Sequence, residues 1–229
     1  LKRWCSTLRL SDRADLGSAA EGEELVQADL GDAAAVHALL DGVDAVVHMG
    51  GVSTEQAWSA ILDANIVGLV NLYEAARAHG VKRIVFASSN HVTGFYKQGE
   101  TIDATAPPRP DGMYGLSKAF GEDLSRLYFD RWGIETACIR IGSSFPEPRD
   151  RRMLATWLSY ADLHRLITAC LSTPVLGQEL LLFNAQGVLQ VFDVDTGAGG
   201  LATMSFVSPT TDPYFLLATG SDELSFGGQ

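Results

Sequence analysis

The sequence predicts an α/β protein built on a doubly wound parallel sheet. Short apolar runs at residues 25–30, 43–48 and 84–89 have the length and composition of strands that are buried on both faces. Between these runs, apolar residues recur at helical spacing over residues 32–40 and 58–80. Strands that alternate with helices in this way are typical of a parallel sheet covered by its crossover helices.

Length and charge limit what this chain can be. Its 229 residues are enough for one large α/β domain, and 46% hydrophobic with 20% charged residues is ordinary for a globular protein. A net charge of -11 without a basic cluster argues against a nucleic-acid partner and against anionic membranes. We see no signal peptide and no apolar run long enough to cross a bilayer. The three cysteines are widely spaced and lack a metal-ligand pattern, so we expect reduced thiols, no metal site and a cytoplasmic location.

The first segment, residues 1–12, ends as a short strand in Asp12. A dinucleotide-binding fold places at such a strand end the carboxylate that holds the adenosine ribose hydroxyls. A carboxylate there favours NAD because it repels the extra phosphate of NADP, although the neighbouring Arg13 weakens this preference. Taken alone, Asp12 is equally well explained as a turn residue.

A glycine-rich turn, which lets backbone N–H groups approach a pyrophosphate, would lie about 20 residues before that acid. The first fifty residues contain neither GxxGxxG nor GxGxxG. We therefore expect the first strand and much of the first helix of this fold to be missing, so that the sheet is truncated at its N-terminal side.

The strand predicted over residues 25–30 ends in Asp29 and Leu30. Asp29 equally suits the N-terminal cap of the helix predicted over residues 32–40, because a carboxylate accepts hydrogen bonds from the free N–H groups there. That helix is expected to face inward with Val36, Leu39 and Leu40.

A glycine turn follows the strand predicted over residues 43–48. It is of the kind that passes under a nicotinamide ribose, and it begins with Met49, Gly50 and Gly51. We assign His48 to the strand rather than to catalysis. In the next helix, we interpret Asn65 as a polar core residue that satisfies local hydrogen bonds.

The candidate acid/base pair is Tyr114 and Lys118, which lie four residues apart in the segment DGMYGLSKAFG. On a helix, residues i and i+4 lie on one face, so the phenol and the ammonium reach the same small volume. We expect the cation to lower the pKa of Tyr114 toward the range in which it takes a proton from an alcohol. Ser89, at the end of the strand predicted over residues 84–89, can bind the same substrate oxygen. The alternative is a surface helix on which the two side chains are only neighbours.

A strand that ends in serine, followed by YxxxK on the next helix, resembles the extended short-chain dehydrogenase/reductase family. The resemblance implies a Rossmann-like fold and catalysis by Ser89, Tyr114 and Lys118. It also implies that outer faces of the helix over residues 58–80 and of the Tyr114 helix are buried in a dimer, so we expect a homo-oligomer.

NAD is the cofactor that this resemblance implies. Asp12 would hold the adenosine ribose, and Asp29 with Leu30 would lie beside the adenine. The nicotinamide ribose would be held by the remaining cofactor residues, which are Met49, Gly50, Gly51, Tyr114 and Lys118.

Four longer segments narrow the resemblance to the uronate dehydrogenase branch of that family. They are SSNHVTGFY, PPRPDGMYGLSK, IRIGSSFPEPRDRR and MLATWLSY, and the likeness runs from about residue 10 to residue 177. The branch implies a uronic acid substrate whose carboxylate is bound by Arg152, in a bidentate geometry that lysine would not match. Arg149 and Arg151 are the alternatives, but Arg152 directly precedes the Met-Leu-Ala-Thr-Trp run.

The sugar hydroxyls would be bound by five polar side chains, which are Ser53, Ser89, Asn90, His91 and Ser143. For all of these except Ser89, local hydrogen bonds of a loop residue to the backbone are the other explanation.

The implied reaction is oxidation of C1 of galacturonate or glucuronate to the aldarolactone, with hydride transfer to NAD. Tyr114 would take the proton of the anomeric hydroxyl, Ser89 would position its oxygen, and Lys118 would tune Tyr114.

Two alternatives to this function stay open. A sugar-nucleotide epimerase or dehydratase would use the same Tyr and Lys, but it needs a larger C-terminal substrate domain. The other alternative is a truncated relative that acts as a binding or regulatory protein.

The end of the chain departs from this resemblance. Residues 178–229 contain no tryptophan, whereas the family continues with a tryptophan-rich segment. The segments GVLQVFDVDTG and PYFLLATGSDE alternate apolar and polar residues between turns, as the strands of a WD-type repeat do. One such repeat cannot bury its own faces. We therefore expect an incomplete NAD-binding domain over residues 1–177 and an atypical β-rich tail of unassigned function over residues 178–229.

Overall fold

The computed structural model describes residues 1, 5–97, 99–103, 105–151, 153–173, 178–183, 188–193, 201–206 and 224–226. Within them the chain forms nine β-strands and five α-helices. The strands are β1 (Leu8–Asp12), β2 (Glu23–Gln27), β3 (Ala45–His48), β4 (Arg83–Ser89), β5 (Glu135–Ile141), β6 (Gln178–Phe183), β7 (Val188–Asp193), β8 (Leu201–Phe206) and β9 (Leu224–Phe226). The helices are α1 (Ala33–Leu39), α2 (Trp58–Ile61), α3 (Gly68–His79), α4 (Met113–Trp132) and α5 (Tyr160–Ser172). A π-helix, Leu62–Val67, joins α2 to α3, and 3-10 helices lie at Asn90–Thr93 and Met153–Ala155.

The strands form two sheets. β1 pairs in parallel with β2, and β3 to β9 form a seven-stranded sheet in sequential order. Every neighbouring pair from β3 to β6 is parallel. The predicted α/β fold with a parallel sheet is therefore confirmed. Within the residues that the structure describes, no ladder joins β1 to β3, so the parallel strands lie in two separate parts.

The early strands lie close to their predicted positions. β1 ends at Asp12, as predicted. β2 ends at Gln27, so Asp29 and Leu30 belong to the turn that follows the strand rather than to the strand itself.

The cap of α1 differs from one of the sequence alternatives. The carboxylate of Asp32 accepts hydrogen bonds from the N–H groups of Ala34 and Ala35, at 3.0 and 3.1 Å. Asp29 instead accepts from the N–H of Gly31 at 2.8 Å. The alternative that Asp29 caps this helix is therefore wrong, and its carboxylate lies one turn before the helix.

Helices cover both faces of the parallel sheet. Side chains alternate between the two faces of a strand, and Ile84 and Phe86 of β4 belong to a buried cluster with residues of α1, α3 and α4. Val85, which is also buried, points to the opposite face and lies outside that cluster, and α5 packs against β4 as well. The doubly wound arrangement is thus as predicted, and the shared core holds α4 against β4.

One outer face of α4 carries exposed leucines. Leu116 and Leu127 are 47% and 45% exposed. They lie about three helical turns apart, so they share one side of the helix. An exposed apolar face is a surface on which a second copy could pack, but self-association stays a prediction.

The tail extends the main sheet. β6 pairs in parallel with β5, β7 and β8 follow as antiparallel neighbours, and β9 pairs in parallel with β8. The predicted β-rich tail is confirmed, and β7 lies in the first of the two segments in which strands were predicted. The second of them, residues 213–223, lies outside the described residues. The division into two units at residue 177 stays a prediction, and β6 continues the ladder across it.

No helix in the described part of the chain is both long enough and apolar enough to cross a membrane. In the same residues, no group of three or more His, Cys, Asp or Glu side chains could hold a metal ion. Cys5, Cys138 and Cys170 form no disulfide in the described part of the chain, and Cys5 is exposed whereas the other two are buried.

Candidate functional site

Ser89, Tyr114 and Lys118 come together where β4 ends and α4 begins. Ser89 is the last residue of β4, and the other two lie in the first two turns of α4. Their exposed fractions are 3%, 8% and 5%. The Ser89 hydroxyl hydrogen-bonds the Tyr114 phenol, and Nζ of Lys118 lies 5.8 Å from the centroid of the Tyr114 ring. The structure thus groups these side chains as the sequence predicts.

The expected effect of Lys118 on Tyr114 is wrong. Burial raises the pKa of the Tyr114 phenol above its ordinary value, while the hydrogen bond with Ser89 acts in the opposite direction. Burial also lowers the pKa of Lys118 to about 8, and its ammonium donates to the carbonyl oxygen of Ala87 at 2.8 Å. Loss of water therefore decides the direction of both pKa shifts, and Tyr114 is protonated at neutral pH in this structure.

Asn65 joins the glycine turn to α4. Its amide accepts from the N–H of Val52 at 2.8 Å and donates to the carbonyl of the same residue at 3.0 Å. It also donates to the Ser117 hydroxyl at 2.9 Å, which in turn donates to the carbonyl of Tyr114 at 2.7 Å. The interpretation of Asn65 as a hydrogen-bonded core residue is confirmed, and its bonds fix the turn relative to the tyrosine.

The glycine turn has no room for a side chain at its centre. Gly51 has φ 100, in the left-handed region, and a Cβ there would lie 2.6 Å from Oδ1 of Asn65. Both Gly50 and Gly51 are exposed, and the side chain of Met49 is 40% exposed. The turn therefore presents open backbone, which suits close approach of a ligand.

A buried ion pair supports the site from below. The carboxylate of Glu122 on α4 accepts from Nε and Nη2 of Arg140 on β5 at 2.8 and 2.7 Å. It also accepts from the Ser88 hydroxyl at 2.5 Å, and all three side chains are buried. Sequence reasoning missed this group because Glu122 follows the YxxxK segment among residues typical of a helix surface. The pair joins α4 to β5, and the bond from Ser88 joins α4 to β4 next to Ser89.

His91 and Asn90 lie beside the catalytic group. The ring of His91 is edge-on to that of Tyr114, with centroids 5.6 Å apart. Its Nδ1 lies 2.9 Å from both carboxylate oxygens of Asp111, which fixes the ring. Asn90 is half-buried, and its side-chain oxygen accepts from the Ser89 hydroxyl at 3.4 Å. Both residues can therefore reach a ligand held by Tyr114.

The other predicted substrate residues are more scattered. Ser53 is exposed after the glycine turn, and Ser143 is buried after β5, where its backbone pairs with Trp157. The guanidinium of Arg149, one alternative for the anion clamp, stacks on the Phe145 ring at 3.9 Å. Arg152 lies outside the described residues, so its role stays a prediction.

Two predicted cofactor carboxylates lie at the end of β1 and in the turn after β2. Asp12 is exposed and accepts from the N–H of Ala14 at 2.9 Å, so its turn function is present in this structure. Asp29 is exposed, whereas Leu30 is half-buried, and its carbonyl accepts from the side chain of Asn71 at 2.9 Å. The exposed Asp12 carboxylate has lone pairs left for ribose hydroxyls, and Asp29 with Leu30 offers a surface beside it, so these residues fit the adenosine part of a dinucleotide.

His48 is a buried strand residue. It ends β3, and its ring stacks on that of Phe86 with centroids 6.0 Å apart. Burial, together with the nearby charge of Lys118, lowers the pKa of His48 to about 3. The ring is therefore neutral at physiological pH. Its place at the end of β3 confirms the assignment of His48 to the strand.

Glu55 is a second residue that sequence reasoning missed. Its carboxylate accepts from the backbone N–H groups of Met113 and Tyr114, at 3.2 and 2.9 Å. An isolated glutamate in a polar loop carries no local sequence signal. Its partners lie 58 and 59 residues away, so only the fold brings them together.

Comparisons with known proteins agree with the fold and with the family resemblance. The sequence model described as NAD dependent epimerase/dehydratase family matches residues 3–178. A uronate dehydrogenase of Pseudomonas syringae pv. tomato is 58% identical over 182 residues, which cover 79% of this chain and 66% of the relative. The chain thus spans about two thirds of the length of that relative.

Solved structures show the same similarity. Uronate dehydrogenase from Agrobacterium tumefaciens is 54% identical with a TM-score of 0.76, and the match covers 78% of this chain and 67% of that one. Glucuronic acid dehydrogenase from Chromohalobacter salexigens is 53% identical with a TM-score of 0.76 over the same shares of the two chains.

Proposed function

This chain belongs to the NAD dependent epimerase/dehydratase family, and on that basis we propose that the protein oxidises C1 of galacturonate or glucuronate to the aldarolactone with NAD. The observation that supports the proposal most directly is the buried group of Ser89, Tyr114 and Lys118 at the end of β4. The choice of a uronic acid is supported by 58% identity to a uronate dehydrogenase.

Tyr114 is the proton acceptor in this proposal. In its phenolate form it takes the proton of the anomeric hydroxyl and becomes a phenol, while the C1–H bond breaks and the hydride leaves C1, and the Ser89 hydroxyl holds the same oxygen in place. Lys118 supplies positive charge that favours the phenolate form of Tyr114 before the proton is taken, and this attraction is stronger in a buried site than in water. Asn90 and His91 orient the sugar ring, together with Ser53 and Ser143.

NAD, when bound, supplies the acceptor for the hydride that leaves C1. Asp12 would hold the adenosine ribose, Asp29 and Leu30 would contact the adenine, and the exposed glycine turn would face the nicotinamide ribose. The fit is incomplete at the pyrophosphate, because the first fifty residues contain no glycine-rich turn of the kind that cradles it.

The proposal is tested by mixing purified protein with NAD and either uronate, and following NADH by its absorbance. We expect NADH with both uronates and none with a nucleoside diphosphate sugar, which an epimerase would accept instead. The assay uses these 229 residues and a longer form that begins with an added strand, glycine turn and helix. Because the added segment carries the glycine-rich motif that the first fifty residues lack, we expect the longer form to bind NAD far more tightly in calorimetry and to turn over faster.

Two outcomes would contradict this account. Failure of both forms to make NADH from either uronate would overturn the proposed activity. Comparable NAD affinity of the two forms would show that the added N-terminal segment is dispensable for NAD binding, whether or not the uronates are oxidised.

The substitution Arg152→Ala is expected to raise the KM for uronates more than that for the corresponding neutral aldoses. Only the uronates carry the carboxylate that the guanidinium would bind, and a hydrogen bond to a charged group contributes roughly 1.5–3 kcal/mol. Steady-state kinetics on both sugars, with Arg149→Ala and Arg151→Ala as matched controls, measures the difference. If Arg152→Ala raised the KM equally for acidic and neutral sugars, we would assign the carboxylate-binding role to Arg149 or Arg151 instead.

A further inference from the structure

The helix that carries the proton acceptor begins without a cap of its own. Its N-cap residue is Gly112, with extended backbone angles of φ -171 and ψ 178, and no side-chain cap from that residue exists in the described structure. The first turn, Met-Tyr-Gly-Leu, contains no acidic residue. The first N–H groups of a helix have no partner within the helix, so they need one from elsewhere.

Glu55 supplies that partner from a distant part of the chain. Its two carboxylate oxygens each accept one N–H, from Met113 and from Tyr114 itself. Negative charge is favourable at this end of a helix because the unpaired N–H groups carry partial positive charge. The three heavy atoms nearest to a Cβ built on Gly112 all belong to Glu55, so the carboxylate occupies the place of a capping side chain.

The loop that holds Glu55 is attached to α4 at a second point. Asn65 binds both backbone groups of Val52 and the hydroxyl of Ser117, one turn further along α4. The segment between the glycine turn and α2 is therefore held to the start of α4 at two points, the N–H groups of Met113 and Tyr114 and the hydroxyl of Ser117.

We propose that Glu55 is a positioning residue, whose carboxylate holds the first turn of α4 and thereby sets the place of the Tyr114 phenol relative to the glycine turn. This inference rests on the proposed function for its effect on turnover. Glu55 acts through the backbone of Tyr114, so its loss should disturb the chemical step more than substrate binding. Misplacement of a reacting group by about 1 Å costs up to about 100-fold in rate.

The first test is kinetic and uses a protein form that oxidises a uronate. We expect Glu55→Ala to lower kcat by about 10- to 100-fold with little change in KM, because the reacting geometry and not the sugar site is altered. Glu55→Gln keeps one acceptor oxygen, so its kcat should lie between those of wild type and Glu55→Ala. Asp32→Ala is the matched control, since it also removes a carboxylate that accepts two backbone N–H groups at a helix start, but on α1, which carries no catalytic side chain.

A rescue variant separates capping from contact with the sugar. In the Glu55→Ala background a side chain at position 112 has room, and Gly112→Ser supplies a hydroxyl of the type that caps helices best. We expect the double variant Glu55→Ala/Gly112→Ser to recover most of the lost kcat. A residue that touched the sugar would not be replaced in this way, so failure of rescue would overturn the positioning role.

The second test does not depend on turnover. Hydrogen exchange of the amides of Met113 and Tyr114 should become faster in Glu55→Ala than in wild type, and slow again in the double variant. Asp32→Ala should leave these two amides unchanged. Unchanged exchange in Glu55→Ala would overturn the inference even if uronates are oxidised. If wild type oxidises no uronate, the proposed function fails, and exchange still decides whether Glu55 holds this turn.

Discussion

Tyr114→Phe is expected to lower kcat for uronate oxidation by about 100-fold or more, because it removes the proposed proton acceptor and leaves the buried ring in place. NAD affinity and the KM for the uronate should change little, since the lost atom acts in the chemical step. The measurement is steady-state kinetics combined with NAD titration. Tyr73→Phe is the matched control, because it removes a buried phenol that bonds to Thr136 away from the site.

The pH dependence of kcat/KM is a second test of the role of Tyr114. Burial holds the pKa of Tyr114 above its ordinary value, so the phenolate is the minor form at neutral pH. Below that pKa, the phenolate fraction grows with pH, so kcat/KM should rise by up to about tenfold per pH unit. The rise should weaken above about pH 8, where the buried Lys118 loses its charge. Near wild-type turnover of Tyr114→Phe, or a flat profile from pH 6 to about pH 8, would contradict the assignment.

The parts of this molecule that follow from local sequence were predicted well. The i, i+4 spacing of Tyr114 and Lys118 requires only a helix, and α4 provides it. The apolar run that ends in Ser89 requires only a buried strand, and β4 provides that. The family named from these motifs is confirmed by the match over residues 3–178.

What depends on burial and long-range contact could not be predicted. The direction of the pKa shift of Tyr114 was wrong, because spacing reveals that a cation is near but does not reveal how much water is lost. Glu55 and Glu122 look alike in sequence, as acids in polar surroundings. In the fold, one caps α4 from a loop and the other is buried against Arg140.

Breaking the pair of Glu122 and Arg140 is expected to have the largest effect on stability. Arg140→Met leaves the Glu122 carboxylate buried with the Ser88 hydroxyl as a remaining donor, and Glu122→Leu leaves the guanidinium charge without its counter-ion. Removal of one partner of a buried pair typically lowers the free energy of unfolding by about 3–5 kcal/mol. Urea denaturation measures the loss. Asp130→Asn, which breaks the exposed pair with Arg126 on the same helix, should cost only about 0.5 kcal/mol.

The double variant Glu122→Leu/Arg140→Met should be more stable than either single variant, because it buries no unpaired charge. The native pair is also imperfect: Nη1 of Arg140 is buried, and no hydrogen-bond partner for it lies in the described part of the structure. An apolar pair removes that cost, and replacement of a buried ion pair by apolar residues is often neutral or stabilising. If the loss in the double variant equalled the sum of the single losses, the two side chains would not be coupled. In that case α4 would be held over β4 by the apolar core alone.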